Sequence, residues 1–436
     1  MTQFTSRAVQ TVKKWLKVKC SEMKQNCKNL YSKAFVLDPD GDHFSVVKKM
    51  EQFCGFHAKI ETTKGAICWA LLRLIILARF SHMIGKFILT FIEEDDFEYK
   101  FLVHTVTYMM FYNYTQVILL RFSYQDLSSI RKFFNARKYL KTDPEAHRIR
   151  SAAYRKTNWA ILGPLPMWTF LWISMVLTGV YKWRVLNIEP KTLASYPILQ
   201  AIIMYGYPVQ NLIIAGWYQL PAVLINSVLL GFITELKILT DSCDKIIDNA
   251  EIAVEKERLE SESTDADALF WKHFKIELDA RVKAHITVLA NLINLRQILK
   301  PCLLLYYYTL LMVNAFIICS VKNGYFKDFA SSAIIMAVYF NVDFFIICYN
   351  MSQVDDLCSK VGKRIYNLPW PYKLTKTERF VREYRSIRST MMVMMMRAQA
   401  GMAFSCGGFF EMSMGKFAEL MDLTYTMVMF VLHLQE

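Results

Sequence analysis

The sequence predicts an all-α protein of seven transmembrane helices. It places the N-terminus in the cytoplasm, the C-terminus outside, and long helices in a cytoplasmic anchor region. Three observations carry this. Hydrophobic residues make up 54% of the 436 residues, more apolar surface than separate soluble cores could hide but an amount a bilayer accepts directly. Seven stretches are apolar or long enough to cross about 30 Å of hydrocarbon at about 1.5 Å per residue. Lys and Arg are spread unevenly between those stretches, and this bias sets orientation.

The predicted spans are Gly65–Ile92, Phe101–Leu120, Asn158–Tyr181, Gln210–Leu236, Pro301–Ser320, Phe329–Asn350 and Gly401–Leu434. The first is interrupted by Arg73, Arg79 and Lys86, the last by Glu411, Lys416, Glu419 and Asp422. The segment up to Lys64 holds 12 Lys and Arg, and the connections after spans two, four and six hold 10 each. Those after spans one, three and five hold 1, 3 and 2. The N-terminus and the even connections are therefore expected in the cytoplasm, and an odd number of spans leaves the C-terminus outside. The net charge of +14 thus reads as membrane orientation rather than as a nucleic-acid surface. The first 60 residues carry Lys13, Lys14, Lys17, Lys19, Lys24 and Lys28 with no apolar core, so no cleavable signal peptide is expected.

This orientation is opposite to that of a seven-helix G-protein-coupled receptor. The outer connections also hold no cysteine, so the usual outer disulfide of that class cannot form. The sequons at Asn113 and Asn350 fall within a span and at a cytoplasmic end, and both are expected to be unused. Five regions follow: the cytoplasmic segment 1–64, spans one to six over 65–350, the cytoplasmic connection 237–300 within them, anchor helices over 351–400, and a seventh helix with the outer C-terminus over 401–436.

Among the connections, Glu251 to Asp267 reads as an exposed helix or loop with little to bury. Leu278, Val282, Ile286, Leu289 and Ile293 recur at helical spacing, which predicts one helix running into span five. Val354, Leu357, Val361 and Ile365 continue span six in the same way. Arg379–Arg397 is basic and methionine-rich. Such helices form either a cytoplasmic domain where subunits meet or a set of membrane-surface helices.

Chemistry for an enzyme is missing from the sequence. There is no Walker loop, dinucleotide fingerprint, HExxH, GxSxG or Cys/His cluster, so no catalytic residue, cofactor or metal is expected. The ten cysteines show neither metal spacing nor a paired framework. Two ionisable residues sit well inside clean spans. His104 reads first as a hydrogen-bonded packing group. Asp343 is costly in hydrocarbon and should face protein or water, as a structural pair or, less simply, on an ion path.

The most specific stretch runs from Met396 to Leu434. Arg397-Ala398-Gln399, then Gly407-Gly408-Phe409-Phe410, Ser413 and Thr424-Tyr425 follow one another as in the last segment of insect odorant receptors, which this stretch resembles. LDARVKAHITVLANL is similar to the helix before the family's fifth span. FFIICYNMSQVDDL with IYNLPWP (Tyr366 and Trp370) is similar to the end of the sixth. The resemblance implies an odour-specific tuning subunit of a heterotetrameric, odorant-gated cation channel, assembled with a shared co-receptor in the plasma membrane of olfactory neuron dendrites. The co-receptor has a longer connection between spans four and five, hence the tuning assignment. The nearest alternative is a gustatory-type channel subunit; a transporter or a G-protein-coupled receptor fits less well.

The resemblance also implies a central pore lined by the seventh helix. Val428, Val431 and Leu432, at i, i+3, i+4, share one face of that helix and would close the pore by dewetting; otherwise they face lipid. Gly407-Gly408 permits a helix break or close backbone approach. Glu419 and Asp422 would attract cations, which Lys416 opposes. The family's pocket lies in the outer half of the membrane among spans two, three, four and six. Here those spans offer His104, Tyr108, Phe111 and Tyr112; Trp168, Leu171, Trp172 and Met175; Ile214 and Trp217; and Tyr339 and Phe340. His104/Tyr108/Phe111 and Trp168/Trp172/Met175 each fall on one helical face, and Pro164 and Pro166 are expected to kink span three. An aromatic, mostly apolar cavity suits a small volatile.

Overall fold

The computed structural model describes residues 35–38, 41–56, 63–93, 97–136, 143–164, 166–167, 169–170, 173, 196–260, 265–322, 330–374 and 377–433. A short α1 (Ser45–Phe53) precedes α2 (Thr63–Glu93) and α3 (Phe97–Phe122). There follow α4 (Tyr124–Asn135), α5 (Pro144–Leu162), α6 (Pro197–Asp244), α7 (Ile246–Glu260), α8 (Ala266–Lys322) and α9 (Ala330–Asn367). After α10 (Trp370–Lys373) and a 3-10 turn come α11 (Val381–Gln399), a hairpin of β1 (Phe404–Cys406) and β2 (Phe410–Met412), and α12 (Met414–His433). Three described stretches, Thr63–Ile92, Gly216–Asp244 and Ala266–Ala315, are long and apolar enough to cross a membrane.

Local chemistry sets several of these boundaries. Asp143 caps α5 by accepting the Glu145 N–H at 3.0 Å, and Pro144 supplies the first helical position. The same helix ends at Leu162, just before Pro164, which cannot donate to a continuing ladder. Residues 163 and 164 are bends, so the helix breaks where Pro164 and Pro166 are expected to kink span three; most of the rest of that span lies outside the described residues. Helix α8 runs unbroken for 57 residues with Pro301 inside it, as the helical spacing before span five predicts. Of the expected stripe, Leu278 is buried and Val282 and Leu289 pack against the cores, but the face is rotated at the other positions. Ile286 and Ile293 are exposed, while His285, Val288, Leu292, Leu295 and Leu299 point inward.

Two cores result. The larger joins α1, α3, α4, α6, α8, α9 and the hairpin, with Phe232, Phe344 and Phe404 fully buried. Within a bilayer such packing gains little from excluding water, so shape fit and polar contacts between helices carry more of the specificity. Two asparagine pairs supply such contacts. Asn350 donates to Asn226 at 3.0 Å, joining α9 to α6, and Asn341 donates to Asn314 at 2.8 Å, joining α9 to α8. The side chains of Asn113 and Asn350 are both buried, so neither sequon presents an acceptor to a glycosyl transferase.

The smaller core gathers the end of α6, then α7, the start of α8, the far half of α9, and α11. Val361 and Ile365 of the predicted stripe are buried here, and Val354 and Leu357 in the larger core. On α11, Ile387, Met391, Met394 and Ala398 face inward. From Glu251 onward, α7 buries only Val254, as expected of a helix with little to hide. Trp271 and Phe274 anchor this bundle, and each side chain removed from water contributes roughly 1.5–3 kcal/mol. These connections thus form a packed bundle with its own core, not separate surface helices.

The segment 41–56 is stapled to the larger core. His43 N–H donates to Asn135 Oδ1 at 3.2 Å, Ser45 Oγ meets Tyr154 Oη at 3.1 Å, and Arg121 donates to the Phe56 carbonyl at 2.7 Å. The His43 ring packs on Phe44 and Tyr154, and neither ring nitrogen has a hydrogen-bond partner among the described residues. Burial, reinforced by the charge of Arg150 and only partly opposed by Asp42, pushes its pKa down to about 4. The neutral ring is therefore the folded form. Stability linked to it is complete above about pH 6.5 and falls as pH drops from there toward 4, because the unfolded chain takes up the proton first. A loss on the order of 2–3 kcal/mol across that window is expected. Thermal melts of detergent-solubilised protein should show it in the wild type and not in His43→Phe; equal acid sensitivity in both refutes the assignment.

Candidate functional site

Helix α3 meets α8 along one face. Tyr108, Tyr112 and Gln116 stand four residues apart and so lie above one another. Opposite them are Thr309, Tyr306 and the carbonyl of Cys302. The Tyr108 hydroxyl lies 3.4 Å from Thr309 Oγ1, the Tyr112 and Tyr306 rings meet edge-on at 6.0 Å, and Gln116 donates to the Cys302 carbonyl at 3.1 Å. Tyr306 in turn stacks on Phe344 of α9 at 5.1 Å.

About one turn before Phe344, α9 carries Tyr339 and Phe340, both buried. Phe340 meets Tyr218 of α6 edge-on at 6.1 Å. The structure thus brings Tyr112, Tyr339 and Phe340 into one aromatic core, with Tyr218 and Tyr306 added. Those two were missed in the sequence. Tyr218 sits one position beyond the more conspicuous Trp217, and Tyr306 is one of three consecutive tyrosines with no periodic mark to single it out.

Other expected residues point elsewhere. His104 packs against Phe87 and Phe91 of α2, with ring centroids at 4.4 and 5.9 Å. Phe111 is exposed on the same flank of α3, whereas Tyr108 turns toward α8. Trp217 donates to the Cys54 carbonyl at 2.6 Å and lies 5.1 Å from Tyr114. It lines a space of about 10 Å³ between α2, α3 and α6 that also holds Asn113, room for about one water. Ile214 lies in α6 and Val428, Val431 and Leu432 lie in α12, but their side chains are outside the described residues. So are Trp168, Leu171, Trp172 and Met175 entirely.

On the opposite flank of α9, Asn341, Val342 and Phe345 line an open cleft of about 390 Å³ with Ile317 of α8 and Phe417 of α12. Phe345 meets the Phe417 ring edge-on at 5.4 Å. Helix α9 therefore touches the aromatic core on one side and the last helix on the other.

The last helix starts later than its sequence suggests. Gly401–Met412 is not part of it; Phe404–Cys406 pairs antiparallel with Phe410–Met412, and α12 begins at Met414. Gly407 and Gly408, at φ +63° and +97°, form the hairpin turn rather than a helix break. The Gly407 N–H donates to the Lys300 carbonyl of α8 at 3.1 Å. At its base, Met402 N–H donates to Asp355 at 2.7 Å and Met414 N–H to Ser352 at 3.3 Å, both on α9. Lys416 pairs with Glu419 within α12, which offsets that carboxylate and leaves Asp422 exposed. Among the described residues no group of His, Cys, Asp and Glu is placed to hold a metal.

Comparison with curated proteins finds no match. Among solved structures, the insect olfactory receptor OR5 from Machilis hrabei in complex with eugenol is similar, with a TM-score of 0.63 at 10% identity over 90% of this chain and 100% of that one. A second structure of the same receptor gives a TM-score of 0.60 at the same identity and coverage. At that identity the likeness speaks for the seven-helix fold. The 7tm Odorant receptor family model matches residues 98–425, from the start of α3 into α12. The match takes in the aromatic core, the hairpin and most of the last helix, and the chain belongs to the odorant receptor family.

Proposed function

We propose that this chain is the odour-binding subunit of a heteromeric, odorant-gated, non-selective cation channel. A small volatile held between the outer halves of spans two, three, four and six opens a central pore lined by α12. The observation that carries this reading is the position of α9. Tyr339 and Phe340 on one flank belong to the aromatic core, and Phe345 on the other rests against Phe417. A ligand that favours one rotation of α9 thereby favours one position of α12, and only such differential contact can shift a gate.

Several features support the arrangement. The count of 42 Lys and Arg in the N-terminal segment and even connections against 6 in the odd ones supports a cytoplasmic N-terminus and an outer C-terminus. The second core, built from α7, α11 and the parts of α6, α8 and α9 that lie beyond the expected spans, is the part we assign to contact with a co-receptor subunit. The ligand class is carried over from the eugenol complex of the similar receptor. Val428, Val431 and Leu432 remain the proposed gate, and Trp168, Leu171, Trp172, Met175 and Ile214 the proposed remaining wall of the ligand site. The plasma membrane of olfactory neuron dendrites is the expected location.

Odorant-evoked cation current is expected only when this chain is co-expressed with the co-receptor, and the two should copurify. Current that requires a G protein and survives substitutions throughout α12 refutes the channel reading.

A further inference from the structure

One half-buried group beside the aromatic core is left half-used. Asp343 stands one turn from Tyr339 on α9, and its carboxylate accepts the Tyr339 hydroxyl. Its other oxygen, Oδ2, is shielded from solvent and has no hydrogen-bond partner among the described residues. Tyr112 and Tyr306 are close enough to feel its charge. No described Lys or Arg pairs with it; the nearest polar clasp on α9, Asn341 with Asn314, points to α8 instead. A carboxyl inside a span with an idle oxygen is costly. Such a group persists where something else completes its hydrogen bonding.

Asp343 also faces the relevant way. It shares with Tyr339 the flank of α9 turned toward the aromatic core, whereas the cleft toward α12 is lined by Asn341, Val342 and Phe345. The surrounding rings of Tyr112, Tyr306 and Phe340 offer dispersion but little hydrogen bonding to an apolar body.

We propose that Asp343, with Tyr339, forms the polar end of the ligand site and selects small volatiles bearing a hydrogen-bond donor, aliphatic alcohols or phenols. The ligand O–H donates to Oδ2 while the rings cover the rest of the molecule. The inference rests on the channel reading above. A site that hydrogen-bonds a hydroxyl rejects the analogue without it far more strongly than an apolar pocket rejects a change of one methylene, because its own polar atom is then left unpaired. The methyl ether of an alcohol keeps most of the shape and removes the donor, so the alcohol–ether pair isolates this contact.

The test records odorant-evoked current from this chain with the co-receptor, using hexanol, octanol and phenol, each paired with its methyl ether. In the wild type the hydroxyl member should be more potent by at least about ten-fold. Asp343→Leu should bring the pair to near equality by weakening the alcohol and leaving the ether unchanged, and Asp343→Asn should fall between. Ethers as potent as alcohols in the wild type overturn the inference without any variant. Loss of potency for both members alike overturns it too, because that marks a structural role. A chain that conducts normally yet answers none of the hydroxyl probes also overturns it. If no odorant of any class evokes current with the co-receptor, the channel reading fails and this inference falls with it.

Discussion

Replacing Arg131 with methionine should destabilise the chain by roughly 3–5 kcal/mol, enough to remove most of it from the cell surface. Arg131 of α4 donates to Glu51 of α1 at 2.6 Å, with side chains only 4% and 2% exposed. Its guanidinium carbon lies 5.5 Å from the Phe44 ring, and its Nε and Nη2 find no partner among the described residues. Two charges have been taken from water, and their mutual attraction with one short hydrogen bond is what offsets that cost. Removing the cation leaves the buried Glu51 carboxyl without its partner. Replacing both partners with apolar residues of similar volume avoids the penalty. Glu51→Leu combined with Arg131→Met should therefore recover most of what the single change loses. Fluorescence-detected melting of the solubilised protein, with surface labelling, reads both. An unaffected single variant, or a double variant as unstable as the two losses added together, would show that the pair does not hold α1 in place.

The same pair marks where the sequence stops being informative. Periodicity shows which residues share a helix face, and the buried stripe Val354, Leu357, Val361, Ile365 is legible for that reason. It does not show which helix that face meets. Glu51 and Arg131 lie 80 positions apart, and nothing in either neighbourhood says that the two meet in the core. The same limit explains α8. Its continuity through Pro301 is readable from spacing, but the rotation that exposes Ile286 and buries His285 is set by partners elsewhere in the chain. Trp217 and Tyr218 differ by one position and so point about a quarter-turn apart. Which of them meets α9 depends on how α6 is rotated, so the less conspicuous of the two is the one in the aromatic core.

The hairpin is a different kind of miss, because its signal was present. Phe404-Ser405-Cys406 and Phe410-Glu411-Met412 alternate around Gly407-Gly408-Phe409, a pattern for two short strands joined by a glycine-containing turn. Mean hydropathy over the stretch obscured it. Glu411 looked like an interruption of a span, yet it occupies the exposed position of β2, cross-strand from Ser405. The consequence is functional: α12 does not simply continue from α11 but is held by an element fixed to both α8 and α9.

Gly407→Val should abolish gating while sparing most of the assembly. At φ +63° a β-branched residue is strained, and an added Cβ would approach Leu304 Cδ2 and Cδ1 to 2.8 and 2.9 Å. Leu304 can yield by rotating, but only by opening the packing of α8 beside Pro301. Backbone strain and overpacking together should cost roughly 2–5 kcal/mol. That cost is local to the tip of the hairpin. The base stays tied through Asp355 and Ser352, so the tip should lift from Lys300 and release α12 from its hold on α8. Gly407→Asn tolerates the left-handed conformation better and should be the milder change. Odorant-evoked current normalised to surface protein should fall steeply for valine and partly for asparagine, with copurification of the co-receptor retained. Normal currents from the valine variant would show that the Lys300 link does not position the last helix. Loss of copurification would show instead that the hairpin serves assembly. The order valine, asparagine, glycine in normalised current is what separates strain at one backbone position from general damage. A folding defect scales with side-chain size, whereas asparagine, nearly as large as valine, is favoured only where the backbone turns left-handed.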